Sequence, residues 1–468
     1  VASVVRDENA PYDLVGVGLG PFNLALAALA DSISGFRSLF LHDQDDFRWH
    51  HGMMIKGTTV QMPFLADLVT LVEPTNKWSF LAYLKHIERL FPFYFAEQQH
   101  IRRAEYDAYC RWVSRGLESC HFGYRVTAVA WDASRSAFEV TYSSLAGDTK
   151  YCWADNVVLG IGTEPAIPAP LQGMITNTAG PVVHSADYLP NRDMFVESDD
   201  VTVVGSGQSG AEVFLDLLRR KPLGAERLRW LARTQAFAPM EYSKLGLEHF
   251  TPDYTRYFFN LSERARDRLV PSQWQLYKAV SAATLCDIQE ELYGRSLHGG
   301  WPDVTLTPGV EVTGGKILKD RVVLQVRHAE QSRTTSFETS AAILATGYKE
   351  RPSNTLLAPL ERFLQRDEKG RLRVDIDYRA ELDKSVTGGL FLQNAERHTH
   401  GVGAPDLGLA AWRGASILNA LCHREVFRLP KRSAFTHFGL PVEDGLNYSE
   451  QTLRASGQHR EGGPGGTT

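Results

Sequence analysis

Residues 12–33 read YDLVGVGLGPFNLALAALADSI, and the fold turns on how the glycines in that stretch are spaced. Tyr12 to Val17 is short and mostly apolar, as a buried strand of a parallel sheet would be. Gly16, Gly18 and Gly20 then follow GxGxxG loosely, and an apolar helical pattern begins at Pro21. Proline suits a first helical position, because the N–H it lacks would have no intrahelical partner there. Strand, glycine turn and helix N-terminus make a cradle for a pyrophosphate: backbone N–H groups close on the anion and the helix end adds partial positive charge. The next apolar strand, SLFLHD, ends in Asp43, spaced as an acid that accepts from ribose hydroxyls.

The same arrangement returns in DVTVVGSGQSGAEVFLDLLRR (200–220), where Gly205, Gly207 and Gly210 keep GxGxxG strictly. Here the following strand, LRWLA, leads into Arg233 instead of an acid. An acid would repel a 2′-phosphate, whereas Arg pairs with one through two N–H donors, so NADPH is favoured over NADH. Two cradles imply two dinucleotides, most economically a flavin and a nicotinamide, since hydride transfer needs a donor facing an acceptor. The expected fold class is α/β, with two Rossmann-like dinucleotide-binding domains (FAD and NADPH) plus a small, mainly helical substrate segment. Cys110, Cys120, Cys152, Cys286 and Cys422 are scattered without a CxxC, so a redox disulfide is not expected. What remains is a reductase without thiols, or a monooxygenase passing electrons from flavin to O₂.

At 468 residues two or three domains are expected. The spacing assigns 11–195 and 340–440 to the FAD domain, 196–238 and 298–339 to the NADPH domain, and 239–297 to the helical substrate segment. Residues 1–10 and 447–468 are expected to be disordered. A net charge of −5 argues against nucleic acid, which demands a concentrated basic face. No apolar run reaches membrane-spanning length. The opening VASVVRDENAPYD has no apolar signal region. A cytoplasmic protein is the expectation. His398 and His400 have a ligand-like H-x-H spacing but no supporting third ligand, so no metal is expected, and their loop is expected near the flavin or substrate pocket.

GVGLGPFNLALAAL, DFRWHHGMM, VQMPFLADLVTLVEPTNKWSFLAYL, RRAEYDAYCRW, GSGQSGAEVFLDLL, LATGY and HTHGVGAPDLGLAAWR occur in this order between residues 11 and 425. Together they resemble the flavin-dependent amine N-hydroxylases of hydroxamate-siderophore biosynthesis, the lysine and ornithine N-monooxygenases and their diamine-specific relatives. The resemblance implies that Trp49, His50 and Gln61 approach the isoalloxazine, and that Arg103 lies near flavin and nicotinamide, with Arg103 and Gln61 serving catalysis. It implies that Gln208 and Ser209 contact NADP(H), and that Thr346 and Gly347 of ATGY cross back toward the flavin. It further implies a homo-oligomer, often a tetramer, and hydroxylation of a primary amine by a C4a-hydroperoxyflavin with O₂ as co-substrate. The amine must be neutral to react, and deprotonating an alkylamine near pH 7 costs roughly 4–5 kcal/mol. A low-dielectric pocket supplies part of that, and excluding water protects the oxygenated flavin.

The departure from the family is Ala66. Amino-acid-specific relatives carry a lysine there, pairing with the substrate's α-carboxylate. A buried carboxylate without its partner costs several kcal/mol, so Ala66 points to a substrate lacking one: putrescine or cadaverine. Asp406 is the candidate acid for the distal ammonium, and equally an N-cap for the helix after it. The alternative is L-lysine N6-hydroxylation with Lys56, Lys77 or Arg397 holding the carboxylate. A different class would be a non-hydroxylating flavin redox sensor or NADPH oxidase.

Overall fold

The computed structural model describes residues 10–175, 179–297 and 300–440. The expected disordered ends lie outside the described residues, apart from Ala10. The chain begins with β1 (Leu14–Val17), α1 (Pro21–Ala30), β2 (Ser38–His42), α2 (Leu90–Ala96), α3 (Arg103–Gly116), β3 (Cys120–Phe122) and β4 (Asn156–Leu159). β5 (Thr163–Pro165) leads out of this unit to β6 (Val182–His184), β7 (Val201–Val204), α4 (Gln208–Arg220) and β8 (Leu228–Leu231). After α5 (Ala282–Ser296) come β9 (Val304–Thr307) and β10 (Ala341–Leu344). β11 (Tyr348–Glu350) pairs antiparallel with β5, and β12 (Gly389–Leu392) and α6 (Ala410–Leu421) return to the first unit.

Two five-stranded sheets result, ordered β12-β4-β1-β2-β3 and β6-β10-β7-β8-β9, and every pairing within them is parallel. These are the two Rossmann-type units expected from the glycine motifs. Each also bears a three-stranded antiparallel meander, one between Tyr124 and Ala154 and one between Val310 and Thr339. Helix α1 is buried along its whole length, as its sequence, apolar except for Asn23, requires, and Asn23 donates to the Val17 and Gly18 carbonyls. It packs against α6, where Gly414 allows close approach: a Cβ there would sit 3.3 Å from the Leu26 Cα.

The division of the chain needs one correction. β6 and β10 were expected with the FAD domain but are hydrogen-bonded into the second sheet, with Val182 opposite Ala342 and Val201 opposite Ala341. Tyr188 and Phe195, on the helix after β6, share the core of that second unit. The crossing points between units are therefore the antiparallel pair β5 and β11, and not residues 195 and 340. The segment 239–297 is helical as expected. Its α5 packs on α4, while Tyr254, Phe258 and Leu276 form a separate small core with Val402.

Candidate active site

In each sheet the strand order reverses beside the first strand, between β1 and β4 and between β7 and β10. Ligands of doubly wound sheets bind at such switch points, beyond the carboxyl ends of the strands. The glycines explain how the chain turns there. Gly18 has φ 84°, and a Cβ on it would meet the Gly160 carbonyl at 2.5 Å, across the switch. Gly205 has φ 131°, and a Cβ there would meet the Ala345 carbonyl at 2.1 Å. Both positions are closed to any other residue. Gly16 and Gly210 act differently, because neither lines the cleft. A Cβ at Gly16 would strike the Phe40 ring and one at Gly210 the Gly205 carbonyl, so these glycines serve packing.

Both switch points open into one cleft of about 2150 Å³. From the first unit it is lined by Gly18, Gly20, Pro21, Asp43, Trp49, His50 and Gln61. The second unit supplies Gly205, Gly207, Gln208, Ser209, Arg233, Thr346 and Gly347. The residues present fit two dinucleotides. Helices α1 and α4 both start at a glycine with no side-chain cap and no acid in the first turn, leaving their N–H groups for an anion. A Cβ at Gly20 would meet nothing within 4 Å, so the turn is open toward the cleft. Burial, then the charges of Arg397 and Arg233, hold the Lys278 ammonium below its usual range. Three cations on one wall of the cleft suit a phosphate-bearing ligand. Gln61 Nε2 and Thr346 Oγ1 are buried there without hydrogen-bond partners.

His50 holds a left-handed backbone, φ 48° and ψ 42°, an uncommon state for a non-glycine residue. Although the residue is exposed to the open cleft, desolvation by the protein packed around it, and then the charge of Arg103, push its imidazole down to about 4. Its ring lies 4.6 Å from Trp49 and 6.0 Å from Tyr348. His184 accepts from the Ala186 N–H at Nδ1 (3.1 Å), which leaves Nε2–H to donate to the Gly347 carbonyl at 3.0 Å. This bond fixes the crossing after β10.

Arg103, expected beside the flavin and nicotinamide, does not line the cleft. Its guanidinium forks onto Glu212 of α4, at 2.8 and 3.0 Å, and donates to the Met53 carbonyl at 2.7 Å. Glu212 also accepts from Gln208 Nε2 at 2.9 Å. Arg103 therefore joins the loop carrying His50 to the helix behind the second glycine turn. Glu212 was not singled out in the sequence, since a lone helical acid looks like a solvated charge. Nor was Tyr242, whose hydroxyl donates to Gln61 Oε1 at 3.2 Å and whose own ionisation is opposed by burial and then by Asp406.

Ala66 and Asp406 converge above Gly408. A Cβ built on Gly408 would lie 2.7 Å from Asp406 Oδ1 and 3.8 Å from the Ala66 Cβ. Neither lines the main cleft, although Pro405 and Leu407 on either side of Asp406 do. Asp406 accepts from the Gly408 N–H at 2.6 Å, so the capping role is present, and burial pushes its carboxyl up to about 6. Of the alternative cations, Lys56 is exposed, Lys77 pairs with Asp31 at 2.8 Å, and Arg397 lines the cleft. The loop of His398 and His400 reaches the cleft through Arg397, Pro405 and Leu407, although neither histidine lines it. His398 engages the Leu372 carbonyl at 2.8 Å, and His400 stacks on Tyr378 at 4.2 Å. All five cysteines are free thiols. Among the described residues no helix is long and apolar enough to cross a membrane.

Two parallel sheets whose glycine turns share one cleft define a two-dinucleotide oxidoreductase. The family described as L-lysine 6-monooxygenase/L-ornithine 5-monooxygenase matches residues 10–350, and this chain belongs to it. It is 40% identical over 438 residues to the rhizobactin siderophore biosynthesis protein RhbE of Rhizobium meliloti, covering 92% of this chain and 95% of that protein. It is 38% identical over 430 residues to the putrescine N-hydroxylase of Shewanella oneidensis, covering 91% and 84%. Among solved structures it resembles DfoA of Erwinia amylovora, the FAD-bound cadaverine monooxygenase of desferrioxamine biosynthesis. The TM-score is 0.87 and the identity 35%, over 93% of this chain and all of that one.

Proposed function

We propose that this chain is an FAD- and NADPH-dependent N-hydroxylase acting on one primary amine of putrescine or cadaverine, in the service of siderophore biosynthesis. The observation that carries the substrate is the pairing of a neutral Ala66 with the acid Asp406 about one point above Gly408. A wall with the acid Asp406, where the base acting on it, Arg413, is already paired with Glu396, suits a guest that is cationic at its far end. The hydroxylases of putrescine and cadaverine among its relatives support the same reading.

Bound FAD would take hydride from NADPH and supply activated oxygen to the amine nitrogen. The protein's share is to seat and shield. The α1 turn with Asp43 would hold the FAD pyrophosphate and ribose. The α4 turn, Gln208, Ser209 and Arg233 would hold NADPH, and the crossing at Thr346 and Gly347 lies between the two. Neutral His50, Trp49 and Gln61 give the reacting end of the amine a wall without a cation on it, which favours its free base. Asp406 would hold the distal ammonium. A cytoplasmic homotetramer completes the proposal.

The test is to follow NADPH oxidation by the FAD-loaded protein with a diamine and O₂. Hydroxylamine formed in step with NADPH consumed is expected; peroxide alone would mean an oxidase. Arg233→Ala should raise the KM for NADPH at least tenfold and leave that for NADH nearly unchanged, read from initial rates with each nucleotide.

Asp406→Asn separates grip from cap, because Asn caps as well as Asp. The KM for diamine should rise roughly thirtyfold, the loss of about 2 kcal/mol expected for a charged hydrogen bond, with little change in Tm. Wild-type affinity should fall as pH drops through about 6, where the carboxyl takes up its proton. The sign for stability is opposite. A carboxyl raised in the folded state withdraws stability between its unfolded value and about 6 as pH rises, so the Asn variant is no less stable above pH 6. A KM independent of both changes would leave Asp406 with its cap alone.

A further inference from the structure

Arg413 lies in the first turn of α6 and is wholly buried, amid a run of alanine, isoleucine and leucine. Its guanidinium meets three parts of the chain. Nη1 is 3.0 Å from Oε1 of Glu396, which is wholly buried too. Nη2 donates to the Ala404 carbonyl at 2.7 Å and to the Gly403 carbonyl at 3.4 Å. The Gly403 carbonyl also accepts from the Asp406 N–H, at 3.0 Å. The faces of the guanidinium rest on Phe22 of α1, 4.5 Å from the ring centre, and on Tyr378 at 5.0 Å. Helix stability does not ask for this residue. A cation in a first turn opposes the helix dipole, and an apolar side chain in place of a buried ion pair stabilises as well or better. What an apolar side chain could not do is hold the two carbonyls that lead into Asp406.

We propose that Arg413 is a positioning residue for the far end of the substrate: it fixes the turn at Gly403 and Ala404, and with it the place of the Asp406 carboxylate. The inference rests on the reading of Asp406 as the acid that holds the distal ammonium. Arginine suits the task because its planar fork serves Glu396 and the turn at once, whereas a lysine is a point charge on a flexible stem. Charge works in the same direction as geometry. Against the burial that raises the Asp406 carboxyl, the guanidinium favours its ionised form, the one an ammonium needs. The other groups nearby do not supply this. Tyr242 is a phenol held neutral by burial and by Asp406 itself, and burial keeps His400 neutral, down to about 3. Glu396 is turned onto Arg413. Asp67, beside Ala66, accepts from the Val69, Thr70 and Phe80 N–H groups.

The experiment compares initial rates of hydroxylamine formation from putrescine, at several pH values, in the FAD-loaded wild type, Arg413→Lys, the double variant Arg413→Gln, Glu396→Gln, and Asp406→Asn. Lysine keeps a charge against Glu396, and the double variant leaves no buried charge without its partner, so neither carries the penalty of a broken pair. In Arg413→Lys the KM for putrescine should rise roughly tenfold, as for one lost hydrogen bond from a charged donor, while kcat, FAD content and the KM for NADPH stay near wild type. In the double variant the pH below which putrescine is poorly held should move up, because the cation favouring the Asp406 carboxylate is gone. A wild-type KM for putrescine in Arg413→Lys, or an unmoved pH profile in the double variant, overturns the proposal. So does a parallel loss of FAD or NADPH affinity, or failure of both variants to fold, since each would make Arg413 a structural residue of the core. Asp406→Asn separates the two readings. A raised KM there beside unchanged Arg413 variants sinks this inference alone, whereas an unchanged KM in Asp406→Asn takes the acid away from the substrate and sinks both.

Discussion

Ala66→Lys should lower kcat/KM for putrescine and cadaverine by about a hundredfold. The new ammonium would stand within reach of Asp406, since Ala66 Cβ and Asp406 Oδ1 face the same point above Gly408. It would compete for the carboxylate and repel the distal ammonium of the diamine. At an effective dielectric of ~20, two like charges about 5–6 Å apart repel by about 3 kcal/mol, which sets the hundredfold estimate. Most of the effect should appear in KM, because the far end of the substrate contributes binding and not chemistry. Initial rates of hydroxylamine formation check it. Unchanged diamine kinetics would remove Ala66 from the substrate's surroundings.

The second large effect concerns the junction of the two units. Arg103→Met leaves Glu212 without its ion-pair partner in a place where its side chain is only 6% exposed. Breaking a buried pair from one side costs about 3–5 kcal/mol, so the denaturation midpoint should fall markedly. The double variant Arg103→Met, Glu212→Leu removes both charges and should recover much of that loss. It should not recover function. Without Glu212, Gln208 loses an acceptor at the second glycine turn, and without Arg103 the Met53 carbonyl beside the His50 loop loses its donor. Flavin reduction by NADPH, measured by stopped flow, should stay at least tenfold slow in a protein of near-normal stability. Recovery of both properties together would make the pair purely structural.

The glycine motifs made both cradles legible because their chemistry is local: a turn that admits only glycine declares itself in sequence. The strand following each motif was equally clear, and so was the place of Arg233 on the cleft. Sheet membership of β6 and β10 was not, because a four-residue apolar strand carries no mark of which sheet will pair with it. Gly16 and Gly210 illustrate the same limit within a motif, since spacing does not separate a glycine that faces a ligand from one that faces Phe40 or a carbonyl. Glu212 and Tyr242 act through partners 109 and 181 residues away in the chain, at distances where no spacing rule operates. Arg103 was recognised by family resemblance as near the reacting groups, but the commitment of its guanidinium to Glu212 was not legible.

The most direct test of the account is coupled turnover on four amines: putrescine, cadaverine, L-lysine and L-ornithine. Hydroxylamine formed per NADPH oxidised should be near unity for at least one diamine and low for both amino acids. The best coupling with lysine would contradict the account, and would mean that a cation such as Arg397 holds the carboxylate that Ala66 leaves without a partner.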